Sequence, residues 1–175
     1  MSEPKPIYGL GLFLVRETGL IEQFIEFCYL DPGETYAKIM KDRDQGKKEK
    51  TKLARNMQTF LDQEEVLINN QRVYPKVIDV EIGFREDFKH PYIVFFIVFT
   101  GILRHGLNIY EDKYNSELVE YNYRVYWIFP SKARVIKADL GVPYILLNNG
   151  RILAFSVNKG SEIRGYERIE FEIIT

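Results

Sequence analysis

The stretch Val119-Glu120-Tyr121-Asn122-Tyr123-Arg124-Val125-Tyr126-Trp127-Ile128-Phe129 decides the fold class. Its odd positions are all apolar or aromatic, while Glu120, Asn122 and Arg124 fall between them. Successive side chains of a strand leave on opposite faces, so this spacing buries one face and wets the other. The pattern recurs upstream, where Ile78, Val80, Ile82 and Phe84 oppose Asp79, Glu81, Gly83 and Arg85. It recurs at the end of the chain in Ile169, Phe171 and Ile173. The C-terminal hundred residues therefore read as antiparallel β-sheet.

One run does not alternate. Tyr92-Ile93-Val94-Phe95-Phe96-Ile97-Val98-Phe99 is apolar throughout, which predicts a central strand covered on both faces. Phe95 and Phe96 then point to opposite faces, both buried, and their loss should destabilise equally. Reversals frame the strands. Asn69-Asn70 and Asn148-Asn149-Gly150 supply residues that tolerate positive φ in hairpin turns. Asn158-Lys159-Gly160-Ser161 and Pro130-Ser131-Lys132 make two more.

The N-terminal part reads as a strand from Ile7 to Val15, then helices. Thr18 is placed to cap a short helix whose apolar stripe is Leu20, Ile21, Phe24, Ile25 and Cys28. Asp31-Pro32-Gly33-Glu34 offers a cap, a first-turn proline and a glutamate to bond back to the cap. Tyr36, Ile39 and Met40 continue the stripe, which lapses from Lys41 to Lys52 and resumes at Leu53, Met57, Phe60 and Leu61. Either an αα-hairpin pivoting near Gly46 or one long bent helix accounts for the lapse. The fold class is α+β: a curved antiparallel sheet or partly open β-barrel of roughly eight or nine strands, with two or three N-terminal helices packed on one face. Residues 1–175 form a single domain, with the strand and helical part at 1–64 and the β part at 65–175.

Bulk properties exclude several classes. Apolar residues make up 46% and charged residues 28% of the 175 positions, which supports a packed core. The net charge of −1 exerts no global pull on nucleic acid or membrane. Cys28 is the only cysteine, so no intrachain disulfide forms and a reducing cytoplasm suits the chain. No secretion signal opens it, and no apolar run reaches the ~20 residues of a membrane helix. Abundant Ile, Tyr, Lys and Glu with scarce Ala and Gln resemble heat-adapted composition, although an AT-rich genome gives the same bias.

Gly9-Leu10-Gly11 lacks the third glycine of a dinucleotide fingerprint, since Leu14 stands there. Close strand packing or a bulge explains the pair better. His90 and His105 flank the Tyr92–Phe99 run at opposite ends and do not form a shared site. No cofactor or metal is expected, and Cys28 reads as a small core residue.

Three groups of residues carry the function readings. The first is the interface set Tyr110, Tyr114 and Tyr126, beside Trp127 and Arg124, which suits a protein partner or self-association. It makes the chain a binding or interaction module without a recognisable catalytic site. The second is the set of charged strand faces: Asp79, Glu81, Glu120, Arg124, Arg168, Glu170 and Glu172. Inside a barrel these would form a phosphate-handling, metal-dependent centre. Asp79-Val80-Glu81-Ile82-Gly83 nevertheless lacks the lysine of the Glu-x-Glu-x-Lys pattern of tunnel-shaped triphosphate hydrolases. The third is the basic stretch Lys41, Arg43, Lys47, Lys48, Lys50, Lys52 and Arg55. It is interleaved with Asp42, Asp44 and Glu49, giving a local charge of +4 that would contact nucleic-acid phosphates.

Overall fold

A computed structural model describes residues 2–175. The chain opens with two eleven-residue strands, β1 (Lys5–Val15) and β2 (Leu20–Leu30), paired antiparallel. The turn between them needs a glycine. Gly19 has φ +91°, and a Cβ there would stand 1.9 Å from the Gly101 carbonyl oxygen. The helix expected from Thr18 to Cys28 is therefore a strand. Ile21, Gln23, Ile25 and Phe27 alternate inward as readily as the segment wraps a helical stripe, and the pairing available from β1 decides between the two.

Two helices follow, α1 (Thr35–Lys41) and α2 (Arg43–Gln63). Asp31 does serve the first, but from further away. Its buried side chain accepts the Tyr36 N–H at 3.0 Å, while Glu34 occupies the cap position in left-handed geometry. The break between helices falls at Asp42, not near Gly46. Asp42 Oδ1 accepts the Asp44 and Gln45 N–H groups at 2.9 and 3.2 Å, an N-cap for α2. Gly46 is buried inside α2 against Met40.

The remainder is β: β3 (Glu65–Ile68), β4 (Gln71–Val73), β5 (Lys76–Phe84), β6 (Pro91–Thr100), β7 (Gly106–Lys113), β8 (Glu117–Leu118), β9 (Asn122–Ile128), β10 (Ala133–Asp139), β11 (Tyr144–Leu147), β12 (Ile152–Val157), β13 (Glu162–Ile163) and β14 (Tyr166–Ile173). The two asparagine turns form as expected, with Asn69, Asn70, Asn148 and Asn149 all at positive φ. Seven strands make sheet A, ordered β11-β12-β9-β1-β2-β6-β5, and five make sheet B, ordered β10-β14-β7-β3-β4. Strands β8 and β13 pair separately. The sheets do not close into a barrel, and β1 runs parallel to β9 within an otherwise antiparallel sheet A.

Both core clusters lie on one face of sheet A. Toward β12, its Trp127, Leu153 and Phe155 pack against Ile68, Tyr110, Ile169 and Phe171 of sheet B. Toward β5, its Val80, Ile82, Ile93, Phe95 and Ile97 pack against Leu53, Met57 and Leu61 of α2. Helices and second sheet thus share the inner face, and the outer face lacks a covering layer among the described residues. This corrects the central-strand reading of β6, which is flanked by β2 and the edge strand β5. Phe95 is buried at 5% exposure, whereas Phe96 is half-buried on the outer face, edge-on to Phe24 with ring centroids 5.7 Å apart. A bulge between Val77 and Asp79 likewise turns Ile78 outward, leaving it 59% exposed.

The two phenylalanines should therefore separate in denaturant melts. Phe95→Ala should cost about 3–5 kcal/mol, and Phe96→Ala roughly half of that or less; equal losses would contradict an open outer face. Asp42→Ala should lower stability by ~1 kcal/mol through loss of the α2 cap, a change that Asp42→Asn should largely avoid.

Candidate functional site

The inner face of sheet A carries more width than sheet B covers, and α2 covers the rest. Between the two covers lies a cavity in two adjoining lobes, about 470 and 270 Å³. Phe13, Ile25 and Phe27 of β1 and β2 line both lobes. Phe95 and Phe99 close the first lobe, while Val125 and Phe155 close the second. The second lobe exists because β1 places Gly9 and Gly11 on the inner face. A Cβ at Gly11 would stand 3.5 Å from Val125, and one at Gly9 would stand 3.1 Å from Tyr123. The paired glycines answer to close strand packing, as expected, and also to an unfilled space.

The polar end of the cavity is acidic. Asp112 on β7 and Glu167 on β14 are directly opposite partners across the strand pair. Glu64, the C-cap of α2, and Glu117 of β8 also line both lobes. No lysine, arginine or histidine lines either lobe among the described residues. Asp112 is 9% exposed, and its Oδ1 has no hydrogen-bond partner. Glu167 accepts from the Tyr114 hydroxyl at 3.3 Å.

Electrostatics follow from this arrangement. Burial pushes the Glu167 carboxyl up to about 7; the charge of Asp112 adds to the rise, and the Tyr114 hydroxyl and Arg164 offset part of it. Glu64 is raised by burial, then by the charges of Asp112, Glu167 and Glu117. Asp112 is raised by burial, against a smaller lowering from the Tyr110 hydroxyl. Burial also raises Tyr110, Tyr114 and Tyr123, and takes Tyr121 to about 12. The tyrosines around the acids thus remain neutral donors.

The charged strand-face residues do not converge. Asp79 and Glu81 sit on the edge strand β5 and Arg124 on β9, all on the outer face of sheet A, while Glu120 is exposed in the loop before β9. Arg168, Glu170 and Glu172 lie on the outer face of sheet B. There Arg168 pairs with Glu170 at 3.2 Å and with Glu111 at 3.7 Å, and Glu172 pairs with Arg134 at 3.1 Å. No group of three His, Cys, Asp or Glu side chains among the described residues is placed to hold a metal ion.

The tyrosines divide. Tyr110 is 3% exposed, 4.6 Å from the Trp127 ring, so it belongs to the core and is not presented to a partner. Tyr114 faces the cavity, and Tyr126 lies on the outer face, accepting from Arg124 at 2.6 Å. Lys47, Lys48, Lys52 and Arg55 share a solvated face of α2 with Asp44 and Thr51; Lys41 ends α1, Arg43 starts α2, and Lys50 lies half-buried beside that face. Cys28 is not a helical core residue but a half-buried one on the outer face, its Sγ 3.4 Å from Glu26. His90 bonds Asp87 at 2.8 Å in the β5–β6 turn, and His105 is exposed at the other end of β6.

The sequence reading missed Glu64, Asp112 and Glu167, yet a signal was present. The buried parity of Ile169, Phe171 and Ile173 extends back to Glu167, and Asp112 alternates with Tyr110 and Tyr114. Both acids therefore fall on inward positions.

No protein-family model matches the chain, and no curated protein matches it. Among solved structures it is similar to the folded domain of the Mycobacterium tuberculosis LppM protein, determined by NMR. The identity is 9% and the TM-score 0.46, over 100% of this chain and 94% of that one. No helix among the described residues is long and apolar enough to cross a membrane.

The raised carboxyls set a pH dependence. Below the unfolded carboxylate pKa, about 4, folded and unfolded states both hold these protons. Between there and about pH 7, where Glu167 ionises in the folded state, only the folded state retains them, so their stabilisation is lost as pH rises. Melts between pH 5 and 8.5 should show stability falling by at least about 1 kcal/mol, roughly 2–4 °C in Tm for a chain of this size. Glu167→Gln should flatten that slope. A stability that rises over the same interval would mean that the acids ionise freely.

Proposed function

We propose that this chain is a binding module whose ligand is a small molecule with an apolar body, held in the cavity between sheet A, sheet B and α2. The observation that carries this reading is the glycine pair on an inward strand face. A strand crossing a core normally fills its inward positions with large side chains; Gly11 leaves that volume open beside Phe27, Val125 and Phe155, and Gly9, next inward on the same strand, makes room for the close approach of Tyr121 and Tyr123. The first lobe, about 470 Å³, lies within the usual range for ligand sites, about 300–1,000 Å³, and the second, about 270 Å³, just below it. Phenylalanines line the walls, and the polar groups gather at one end, the pattern that gives a ligand both affinity and orientation.

The test uses 1-hexanol, a neutral probe with an alkyl body. Titration followed by amide NMR shifts should move Gly9, Gly11, Ile25 and Phe27 together. Gly11→Val adds atoms into the second lobe, with its Cβ in ordinary contact with Val125. It should keep the fold and weaken hexanol at least tenfold. Shifts spread over the outer face, or indifference to Gly11→Val, would overturn the reading.

A further inference from the structure

Resting on that reading, we infer that the ligand carries an organic ammonium group, seated between Asp112 and Glu167 at the acidic end of the cavity, with its apolar body along the phenylalanine wall. The acids alone would be an ordinary cluster. What sets this one apart is Asp112, nine-tenths buried, lining both lobes, with one carboxylate oxygen left without any partner. A buried carboxylate in that condition is costly, and an N–H donor entering the cavity compensates it at the part of the Asp112 side chain that lines the lobes.

The charge balance points the same way. Asp112 and Glu167 are direct cross-strand partners, and like charges so placed repel. Elsewhere on the same strands the acids are neutralised: Arg168 pairs with Glu111 and Glu170, and Arg134 with Glu172. Inside the cavity no basic side chain among the described residues does this. The groups facing the acid pair are Glu64 from the end of α2, Glu117 from β8, and the hydroxyls of Tyr110, Tyr114, Tyr121 and Tyr123. Arg164, before β14, acts on Glu167 from outside the lining. Four acids without a lining cation repel a carboxylate or phosphate ligand. Aromatic faces beside them add attraction for a cation. A bare metal ion is a poorer match, because no three acidic side chains among the described residues are placed to share one.

The experiment compares hexylammonium, 1-hexanol and hexanoate on the full chain by calorimetry at pH 8. These probes share the alkyl body and differ only at the head. Hexylammonium should bind at least tenfold tighter than hexanol, and hexanoate should bind weakest. In a second titration at pH 6, below the Glu167 carboxyl's value of about 7, binding of the cation draws the acid pair toward ionisation, so hexylammonium should release protons, read as a dependence of the heat on buffer ionisation enthalpy. Hexanol should release none. Asp112→Asn and Glu167→Gln should each erase the preference for the ammonium over hexanol, and circular dichroism melts check that the variants are folded. Equal affinity for ammonium and alcohol, or preference for hexanoate, overturns the ammonium assignment and leaves the cavity reading standing. Failure of all three probes to bind overturns the cavity reading and this inference with it.

Discussion

Sheet A has seven strands, and a single inner face on which everything else must settle. Sheet B, with five strands, packs over the β12-β9-β1 side, and α2 packs over the β2-β6-β5 side. A helix and a sheet meet poorly at their shared border. The helix presents a convex surface about 10 Å across, while the sheet edge presents the ends of short strands. The seam between them falls over β1 and β2, and the cavity is that seam. The pairing of β1 with β2 on one side and β9 on the other holds the floor of the seam rigid, which allows two glycines to stand there without collapse of the sheet.

Strand parity was the most legible feature of the sequence. The inward sets Tyr123-Val125-Trp127 and Ile169-Phe171 are read correctly from alternation alone, because a period of two is set by the backbone and survives any tertiary arrangement. The asparagine turns were legible for the same reason: their positive φ is a local demand. The Leu20–Leu30 segment was not, since its apolar positions satisfy both periods and only pairing with β1 across the tight turn at Gly19 resolves them. The outward turn of Ile78 depends on a bulge, an insertion of one residue that reverses parity without any mark in composition.

The order of layers was also beyond local reading. The uninterrupted apolar run of β6 implies cover on both faces when each face is taken as fully buried or fully wet. Of its outer residues, Phe96 and Val98 sit half-buried among the neighbouring side chains of an open sheet face, and Val94 is buried there between β2 and β5. Width alone accounts for this: in a seven-stranded sheet, large side chains on adjacent strands shield one another, as Phe24 shields Phe96. An apolar strand is thus compatible with a single covering layer, and the presence of helices in the sequence does not say which face they take.

The candidate site illustrates how a feature can be locally visible and still escape notice. Asp112 and Glu167 occupy inward positions by parity, but whether an inward acid is a fault, a paired charge or a site depends on what stands opposite. Here the strand β14 sets them face to face, and the seam left by α2 gives their carboxylates a space rather than a basic partner. An apolar pair at these two positions would avoid both the repulsion and the unsatisfied oxygen. The seam would then lose the carboxylates of its β7–β14 wall, and with them the means to fix one end of an apolar ligand. Stability and recognition therefore pull in opposite directions at these two residues, and the protons that the carboxyls retain toward neutral pH limit the cost of the arrangement while the cavity is empty.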